Sequence, residues 1–323
     1  MNVQWLYFHP VRRKMQNDAR IVAVLATGGT IAGTAAQAGD NIGYTAAQLG
    51  VQALVEAVPA LREVPLITEQ VAQVDSKDME FSIWAALAAR VAHHLADDGV
   101  AGIVITHGTD TLEETAYLLQ RLLAPAKPVV LAAAMRPATA LLRDGPQNLL
   151  DAVSLAREPG ARGVMAVLAG TVHSAWDVRK VHSYRLDAFG SGEAGPVARF
   201  EEGWVRRLRG WPAGEAIGLA VLNQPWPWVE IITSHAAARG DLVRGLVAAG
   251  VRGIVLAGTG NGSVHHALEA ALIEAQHAGV AVLRSTRCLD GPVQMKRGDE
   301  LPSAGTLTPV QARIELMLQL MRA

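Results

Sequence analysis

Two short segments of the chain combine glycine with threonine in a way that suits chemistry on a carbonyl group. One is residues 27–33, Thr-Gly-Gly-Thr-Ile-Ala-Gly, and the other is residues 106–111, Thr-His-Gly-Thr-Asp-Thr. Each follows an apolar run and puts a threonine after a glycine, so a hydroxyl nucleophile and backbone N–H donors for an oxyanion could lie together. Glycine also lets the backbone approach a ligand closely.

Phosphate binding is a competing interpretation of the two segments. A Walker loop needs a lysine directly after its last glycine, and neither segment has one. The dinucleotide pattern G-x-G-x-x-G is also unmet at residues 28–33, where the glycine spacing differs. A purely structural interpretation stays open on the loops alone, because both could be tight strand-to-helix turns capped by Thr30 and Thr109.

The elements around these loops predict an open α/β fold. Apolar runs of four to six residues are typical of central parallel strands that are buried on both faces. Helical patterns alternate with them, as βαβ units require, and ligands bind beyond the carboxyl ends of such strands. The predicted strands are residues 21–26, 102–105, 128–132, 163–168, 217–222, 253–256 and 280–283, and the predicted helices are 46–57, 82–96, 112–123, 147–157 and 264–278.

A break in this alternation predicts two domains. Residues 199–214 are rich in arginine and tryptophan, and the strand-helix pattern resumes after them. We therefore expect a larger N-terminal α/β domain with a mainly parallel sheet over residues 21–205 and a smaller C-terminal α/β domain over residues 216–323. Residues 206–215 form the predicted linker, and residues 1–20 are an N-terminal extension.

Composition argues against several classes of function. The formal charge of −1 gives no reason to expect a nucleic-acid partner. No apolar run reaches the ~20 residues of a membrane span, and the charges near the start follow the apolar stretch, unlike a signal peptide, so we expect a cytoplasmic protein. The single cysteine, Cys288, excludes an intrachain disulfide. In each of the adjacent pairs His93-His94 and His265-His266, the two side chains would leave a helix in different directions and could not bind one metal together. We therefore predict neither a metal nor a cofactor.

The two glycine-threonine segments resemble the two signatures of the bacterial asparaginase and glutaminase-asparaginase family of threonine amidohydrolases. The resemblance runs in collinear order from residue 21 to near the C-terminus. It rests on residues 27–33, 44, 75–79, 107–117, 127–130, 134–139, 144–149, 177–180, 258–263 and 305–309.

This resemblance implies a catalytic mechanism. In the family pattern Thr30 attacks the amide carbon and forms an acyl-enzyme that water hydrolyses. Thr109, Asp110 and Lys180 match a second group, in which a buried lysine serves the threonine as a base, since burial lowers a lysine pKa. Which threonine attacks first stays open; we favour Thr30, with Thr109 polarising a water or assisting proton transfer.

The resemblance also assigns substrate contacts. Tyr44 matches the tyrosine that hydrogen-bonds the nucleophile, and it lies at the end of an Ala- and Gly-rich segment expected to act as a mobile lid. Ser76 is expected to bind the substrate α-carboxylate, and Asp110 its α-ammonium.

Two positions depart from the family pattern, and the segment from Arg287 to Ser303 looks shorter than in the periplasmic members. At Lys77, many relatives have a glutamine or glutamate that contacts the substrate ammonium, so Lys77 is a substrate-binding position of altered chemistry. Ser263 stands where some relatives have asparagine. For the acidic residue that a neighbouring subunit supplies in the family, Asp299 and Glu300 are the nearest candidates. These departures leave the catalytic group intact and bear on substrate choice.

The sequence thus predicts an L-asparagine amidohydrolase that acts on a small molecule, needs no cofactor and forms a homotetramer with sites between subunits. A glutaminase-asparaginase of broad specificity is the alternative within the same class. A non-catalytic amino-acid-binding module is the alternative from another class, and the combination of Thr30, Thr109, Asp110 and Lys180 argues against it.

Overall fold

The computed structural model describes residues 20–37 and 39–323, so most of the predicted extension 1–20 lies outside the described residues. The strands and helices alternate along the first part of the chain, as the apolar runs predict. In that part the strands are β1 Ile21–Gly28, β2 Leu66–Val74, β3 Val100–Thr106, β4 Pro128–Ala132, β5 Gly163–Leu168, β6 Thr171–Ser174, β7 Arg179–Lys180, β8 Phe189–Gly190, β9 Ala198–Glu201 and β10 Trp204–Arg207; the helices are α1 Val51–Glu56, α2 Phe81–Leu95, α3 Leu112–Leu123 and α4 Gly145–Ala156.

Eight of these strands form one sheet in the order β10-β9-β6-β5-β4-β3-β1-β2. The five strands from β5 to β2 are parallel, whereas β6, β9 and β10 extend the sheet as antiparallel strands. β1 and β3 are neighbours, with Ala26 opposite Thr106, so both glycine-threonine loops leave the same edge of the sheet. This confirms the expected mainly parallel sheet of the larger domain.

A second, smaller α/β unit follows. Its three strands are parallel and lie side by side in chain order, which confirms the smaller C-terminal α/β domain. Its elements are β11 Val229–Thr233, α5 Asp241–Ala248, β12 Gly253–Gly258, α6 His266–His277, β13 Ala281–Thr286 and α7 Pro309–Arg322. Trp204–Arg207 still belongs to the large sheet, so residues 206 and 207 of the predicted linker are part of a strand. The domain limits themselves stay a prediction.

Helix α7 connects the two units through their cores. Leu318 and Met321 of α7 belong to the same buried apolar cluster as Leu118 and Leu122 of α3. A partly buried ion pair of Arg121 and Glu315, with Nε and Oε2 2.7 Å apart, also joins these helices. On the neighbouring surface Trp226 stacks on Phe81 of α2, with ring centroids 4.5 Å apart and planes 3° from parallel.

One predicted strand is wrong. Residues 217–222 are apolar enough for a strand, but Leu219–Asn223 forms a 3-10 helix. Ahead of it, the backbone N–H groups of Ile217 and Gly218 donate to the carbonyls of Arg121 and Leu122, 2.8 and 3.0 Å away. The segment therefore satisfies the last carbonyls of α3 instead of joining a sheet. The strand of this region begins at Val229.

No helix within residues 20–37 and 39–323 has the length and apolar character needed to cross a membrane.

Candidate active site

The two glycine-threonine loops touch each other at their glycines. Gly29 has a φ of 82°, and a Cβ placed on it would lie 2.3 Å from the Cα of Gly108. A Cβ on Gly108 would lie 2.4 Å from the Oγ of Ser76. Because atoms cannot approach so closely, only glycine allows the segments carrying Thr30, Thr109 and Ser76 to converge.

Thr30 lies at the start of a one-turn 3-10 helix, Thr30–Ala32, directly after β1. Its side chain is nearly buried, and its Oγ1 lies 2.7 Å from the hydroxyl of Tyr44. Thr34 and Thr45 exchange backbone hydrogen bonds of 2.9 Å, which closes the loop that carries Tyr44. The expected contact between Tyr44 and Thr30 is therefore present.

Lys180 joins the second group of site residues. It lies on β7, and its Nζ donates to Thr109 Oγ1 at 2.9 Å and to Asp110 Oδ1 at 2.6 Å. The lysine side chain is 21% exposed and that of Asp110 is 52% exposed, so the carboxylate faces solvent more than the lysine does. An ammonium has three donors and can serve both oxygens at once.

Ser76 fixes the loop that follows Thr109. It is fully buried, its Oγ accepts a hydrogen bond from the backbone N–H of Asp110 at 3.1 Å, and its carbonyl accepts one from Thr111 Oγ1 at 2.8 Å. A short 3-10 turn, Ser76–Asp78, carries both Ser76 and Lys77. Ser76 thus lies directly beside Asp110.

Lys77 forms its ion pairs within its own turn. Its Nζ pairs with Asp78 and lies 3.8 Å from Asp75 Oδ2, while its side chain stays 60% exposed. The hydrogen bond to Asp78, aided by the charges of Asp78, Asp75 and Asp110, raises the Lys77 pKa against the smaller effect of desolvation. Lys77 therefore stays charged, and its charge is offset by the carboxylates beside it.

A buried histidine and a half-buried glutamate near the site were not predicted. Burial lowers the pKa of His107 to about 4, opposed by its hydrogen bond to the Gly108 carbonyl. Burial, aided by Glu114, raises the pKa of Glu113 to about 7, against the lowering effects of Arg179 and Lys180. Both residues lie inside the second signature, but nothing in their spacing along the chain indicates that the tertiary fold buries them.

Asp299 and Glu300, the two candidates for an acid supplied by a neighbouring subunit, differ in their surroundings. Asp299 is buried in an ion pair with Arg284, whose Nη2 lies 2.6 Å from Asp299 Oδ2, with side chains 7% and 9% exposed. It is therefore held within its own subunit, unlike the exposed Glu300.

The adjacent histidines have structural partners of their own. His94 Nε2 lies 3.2 Å from Glu69 Oε2, and His265 accepts from the backbone N–H of Ala267 at the start of α6. Among the residues that the structure describes, no group of three or more histidines, cysteines or carboxylates could hold a metal ion.

Comparison with known proteins places this arrangement in a family. Residues 21–211 match the N-terminal asparaginase model, and residues 228–323 match the glutaminase/asparaginase C-terminal domain. "L-asparaginase 2" of Bacillus subtilis (strain 168) is 38% identical, covering 94% of this chain and 84% of its own length. "Glutaminase-asparaginase" of Pseudomonas fluorescens biotype A is 36% identical, covering 93% and 86%.

A solved structure agrees with these sequence matches. The crystal structure of a probable cytoplasmic L-asparaginase from Campylobacter jejuni superposes with a TM-score of 0.89 at 38% identity, covering 94% of this chain and 96% of that one. Sequence, domain order and three-dimensional fold agree, and the chain belongs to the asparaginase family.

Proposed function

We propose that this protein hydrolyses the side-chain amide of L-asparagine to aspartate and ammonia through a threonine acyl-enzyme. The observation that carries the proposal is the contact of Lys180 Nζ with both Thr109 Oγ1 and Asp110 Oδ1. A binding module needs no lysine beside a threonine hydroxyl, whereas hydrolysis of an acyl-enzyme needs polar groups that orient the attacking water and help to move its proton.

In the first step, Thr30 Oγ1 attacks the amide carbon and the C–N bond breaks. Tyr44, whose hydroxyl is 2.7 Å from Thr30 Oγ1, relays the threonine proton toward the leaving nitrogen, so that ammonia departs. In the second step, a water attacks the ester carbon and Thr30 recovers its proton. Thr109 and Lys180 orient this water, and the proton that it loses passes to Thr30 Oγ1 as the bond between that oxygen and the acyl carbon breaks. The reverse assignment, with Thr109 as the first nucleophile, is the alternative.

The backbone supplies the donors for the developing oxyanion. In the part of the chain that the structure describes, the backbone N–H groups of Thr30 and Thr109 donate no hydrogen bond to another backbone group. Both N–H groups belong to loops that touch at Gly29 and Gly108. Removal of one oxyanion donor costs roughly 100- to 1,000-fold in kcat in a serine protease, where the same kind of acyl transfer occurs.

Substrate recognition follows from the same residues. Ser76 binds the α-carboxylate, and the Asp110 oxygen that Lys180 leaves free binds the α-ammonium. Lys77, a substrate-binding position in relatives, has its ammonium on Asp78 and Asp75 and contributes no acceptor for the amine. The amine therefore rests mainly on Asp110, and we expect asparagine to be preferred over glutamine. Broad glutaminase-asparaginase activity is the second candidate, since three relatives at 35–36% identity have that name.

Ammonia release from L-Asn, L-Gln and D-Asn, measured in parallel, tests the substrate. Two pairs of variants test the mechanism. Thr30→Ala should be inactive while Thr30→Ser retains activity, and Thr68→Ala on β2 is the control for loss of a threonine hydroxyl elsewhere. Lys180→Met should be inactive, with Lys127→Met as the control for loss of a lysine. Near-normal turnover by folded Thr30→Ala protein contradicts the acyl-enzyme mechanism.

The assembly and location are part of the same proposal. We expect a homotetramer whose sites lie between subunits, and a cytoplasmic protein without nucleic-acid or membrane partners. Sedimentation equilibrium combined with an activity assay across subunit concentrations tests the assembly, because a fully active monomer contradicts it. Fractionation of cells tests the location, and recovery in the periplasmic fraction contradicts it.

A further inference from the structure

Three buried side chains form a continuous hydrogen-bonded chain behind the Thr109 loop. Trp84 Nε1 lies 2.8 Å from Thr115 Oγ1, and Thr115 Oγ1 lies 2.9 Å from His107 Nε2. On the other side of the imidazole, Nδ1 lies 2.7 Å from the carbonyl oxygen of Gly108. His107 and Thr115 are fully buried and Trp84 is 4% exposed. We call Trp84, Thr115 and His107 the buried relay.

The position of each proton in the relay follows from the partners. The Gly108 carbonyl can only accept, so His107 Nδ1 carries a hydrogen and donates it. Burial keeps the imidazole neutral, with a pKa of about 4, so Nε2 is an acceptor. The Thr115 hydroxyl must then donate to Nε2, while it accepts from the indole N–H of Trp84, which can only donate.

This arrangement decides which way the next peptide group faces. In a trans peptide the carbonyl and the following N–H point in opposite directions, and the described residues contain no cis bond. With the Gly108 carbonyl held toward His107, the N–H of Thr109 points away from the buried relay. Gly108 has no side chain of its own to hold this peptide, so the hydrogen bond from His107 supplies the restraint.

We propose that the buried relay sets the direction of the Thr109 backbone N–H, so that Trp84, Thr115 and His107 are positioning residues for amide hydrolysis. This inference rests on the proposed threonine mechanism, in which that N–H stabilises the oxyanion. None of the three residues contacts the substrate; they act through the Gly108–Thr109 peptide.

Thr115→Val tests the proposal because it keeps the shape of the side chain and removes the hydroxyl. His107 Nε2 then loses its donor, so the imidazole is free to move its proton to Nε2 and leave the Gly108 carbonyl unpaired. We expect kcat to fall about tenfold, less than complete loss of an oxyanion donor, because the N–H is misdirected and not removed. KM should change less than about twofold, since the oxyanion exists only in the transition state. Thr115→Ser should restore kcat.

Tyr117→Phe is the matched control for a structural effect. Tyr117 is also buried on α3, and its hydroxyl donates to Glu315 at 3.0 Å, away from the Thr109 loop. Tyr117→Phe should lower the melting temperature without lowering kcat. A Thr115→Val protein with unchanged kcat overturns the inference, and so does a Thr115→Ser protein as impaired as Thr115→Val.

A measurement on the unaltered protein keeps the inference testable if Thr115→Val does not fold. In protein with ¹⁵N-labelled histidine, the His107 ring shifts should show a protonated Nδ1 and an unprotonated Nε2 across neutral pH. A protonated Nε2 overturns the inference. Thr30→Ala, assayed beside these variants, keeps the two proposals apart. An active Thr30→Ala protein contradicts the threonine mechanism, whereas a protonated Nε2 on His107 contradicts only the role of the buried relay.

Discussion

Glu113 should make the stability of the folded protein depend on pH between about 4.5 and 7. Its carboxyl lies at the start of α3, where burial and the neighbouring Glu114 raise its pKa from 4.5 to about 7, although Arg179 and Lys180 oppose them. An acid with a raised pKa binds a proton more tightly in the folded state than in the unfolded state. Between the two pKa values, only the folded state holds the proton, so the free energy of unfolding falls as pH rises.

The size of this effect follows from the shift. A difference of one pKa unit corresponds to about 1.4 kcal/mol, so the full shift corresponds to about 3 kcal/mol as an upper figure. Glu113→Gln removes the titration while preserving side-chain size and an oxygen that can accept from the backbone N–H of Lys180. The variant should therefore gain stability relative to the parent as pH rises from 4.5 to 7 and keep that gain above pH 7.

Urea unfolding of both proteins at a series of pH values from 4.5 to 8.5 measures the effect. The subunit concentration must be held constant, because assembly contributes to the apparent stability. Glu202→Gln, at an exposed turn position, is the control for removal of one negative charge. A stability difference between parent and Glu113→Gln that stays constant over this pH range refutes the reasoning.

Two further predictions concern the substrate and the fold. Lys77 pairs with Asp78 and Asp75 and gives the substrate amine no acceptor, so one substrate contact is missing. One such contact is worth about 1.4 kcal/mol, and we therefore expect kcat/KM for asparagine to exceed that for glutamine by about tenfold or more. Lys77→Gln should raise glutamine use relative to asparagine, and equal efficiency of the parent on both amides contradicts this account. In the β5–β6 hairpin, Ala169 has a left-handed φ of 48° and is followed by Gly170 with a φ of 69°. Asparagine tolerates this backbone conformation better than alanine does, so Ala169→Asn should stabilise the fold by about 1 kcal/mol. Thermal unfolding measures this gain in stability, with Ala236→Asn as a surface control. An Ala169→Asn protein no more stable than the parent contradicts the assigned turn strain.

Strands β1 and β3 and helix α3 were predictable because their signals are local, whereas β2 and β7, which lead to Ser76 and carry Lys180, were not among the predicted strands. β1 and β3 are apolar at nearly every position, as strands buried on both faces must be. The bounds of α3, Leu112–Leu123, coincide with the predicted helix, since leucines recur there with helical spacing. Apolar character alone misled at residues 217–222, because it does not distinguish a strand from another buried segment.

The sequence by itself determined the fold class, and its resemblance to the family supplied the candidate site residues that the proposal uses. It could not show which atoms meet, because Lys180 and Asp110 are 70 positions apart and only folding brings Nζ within 2.6 Å of the carboxylate. The ion pair of Asp299 with Arg284 and the desolvation of His107 and Glu113 also depend on the tertiary structure. Hydrogen bonds and desolvation depend on distances and on water exclusion, and neither quantity is set until the chain has packed.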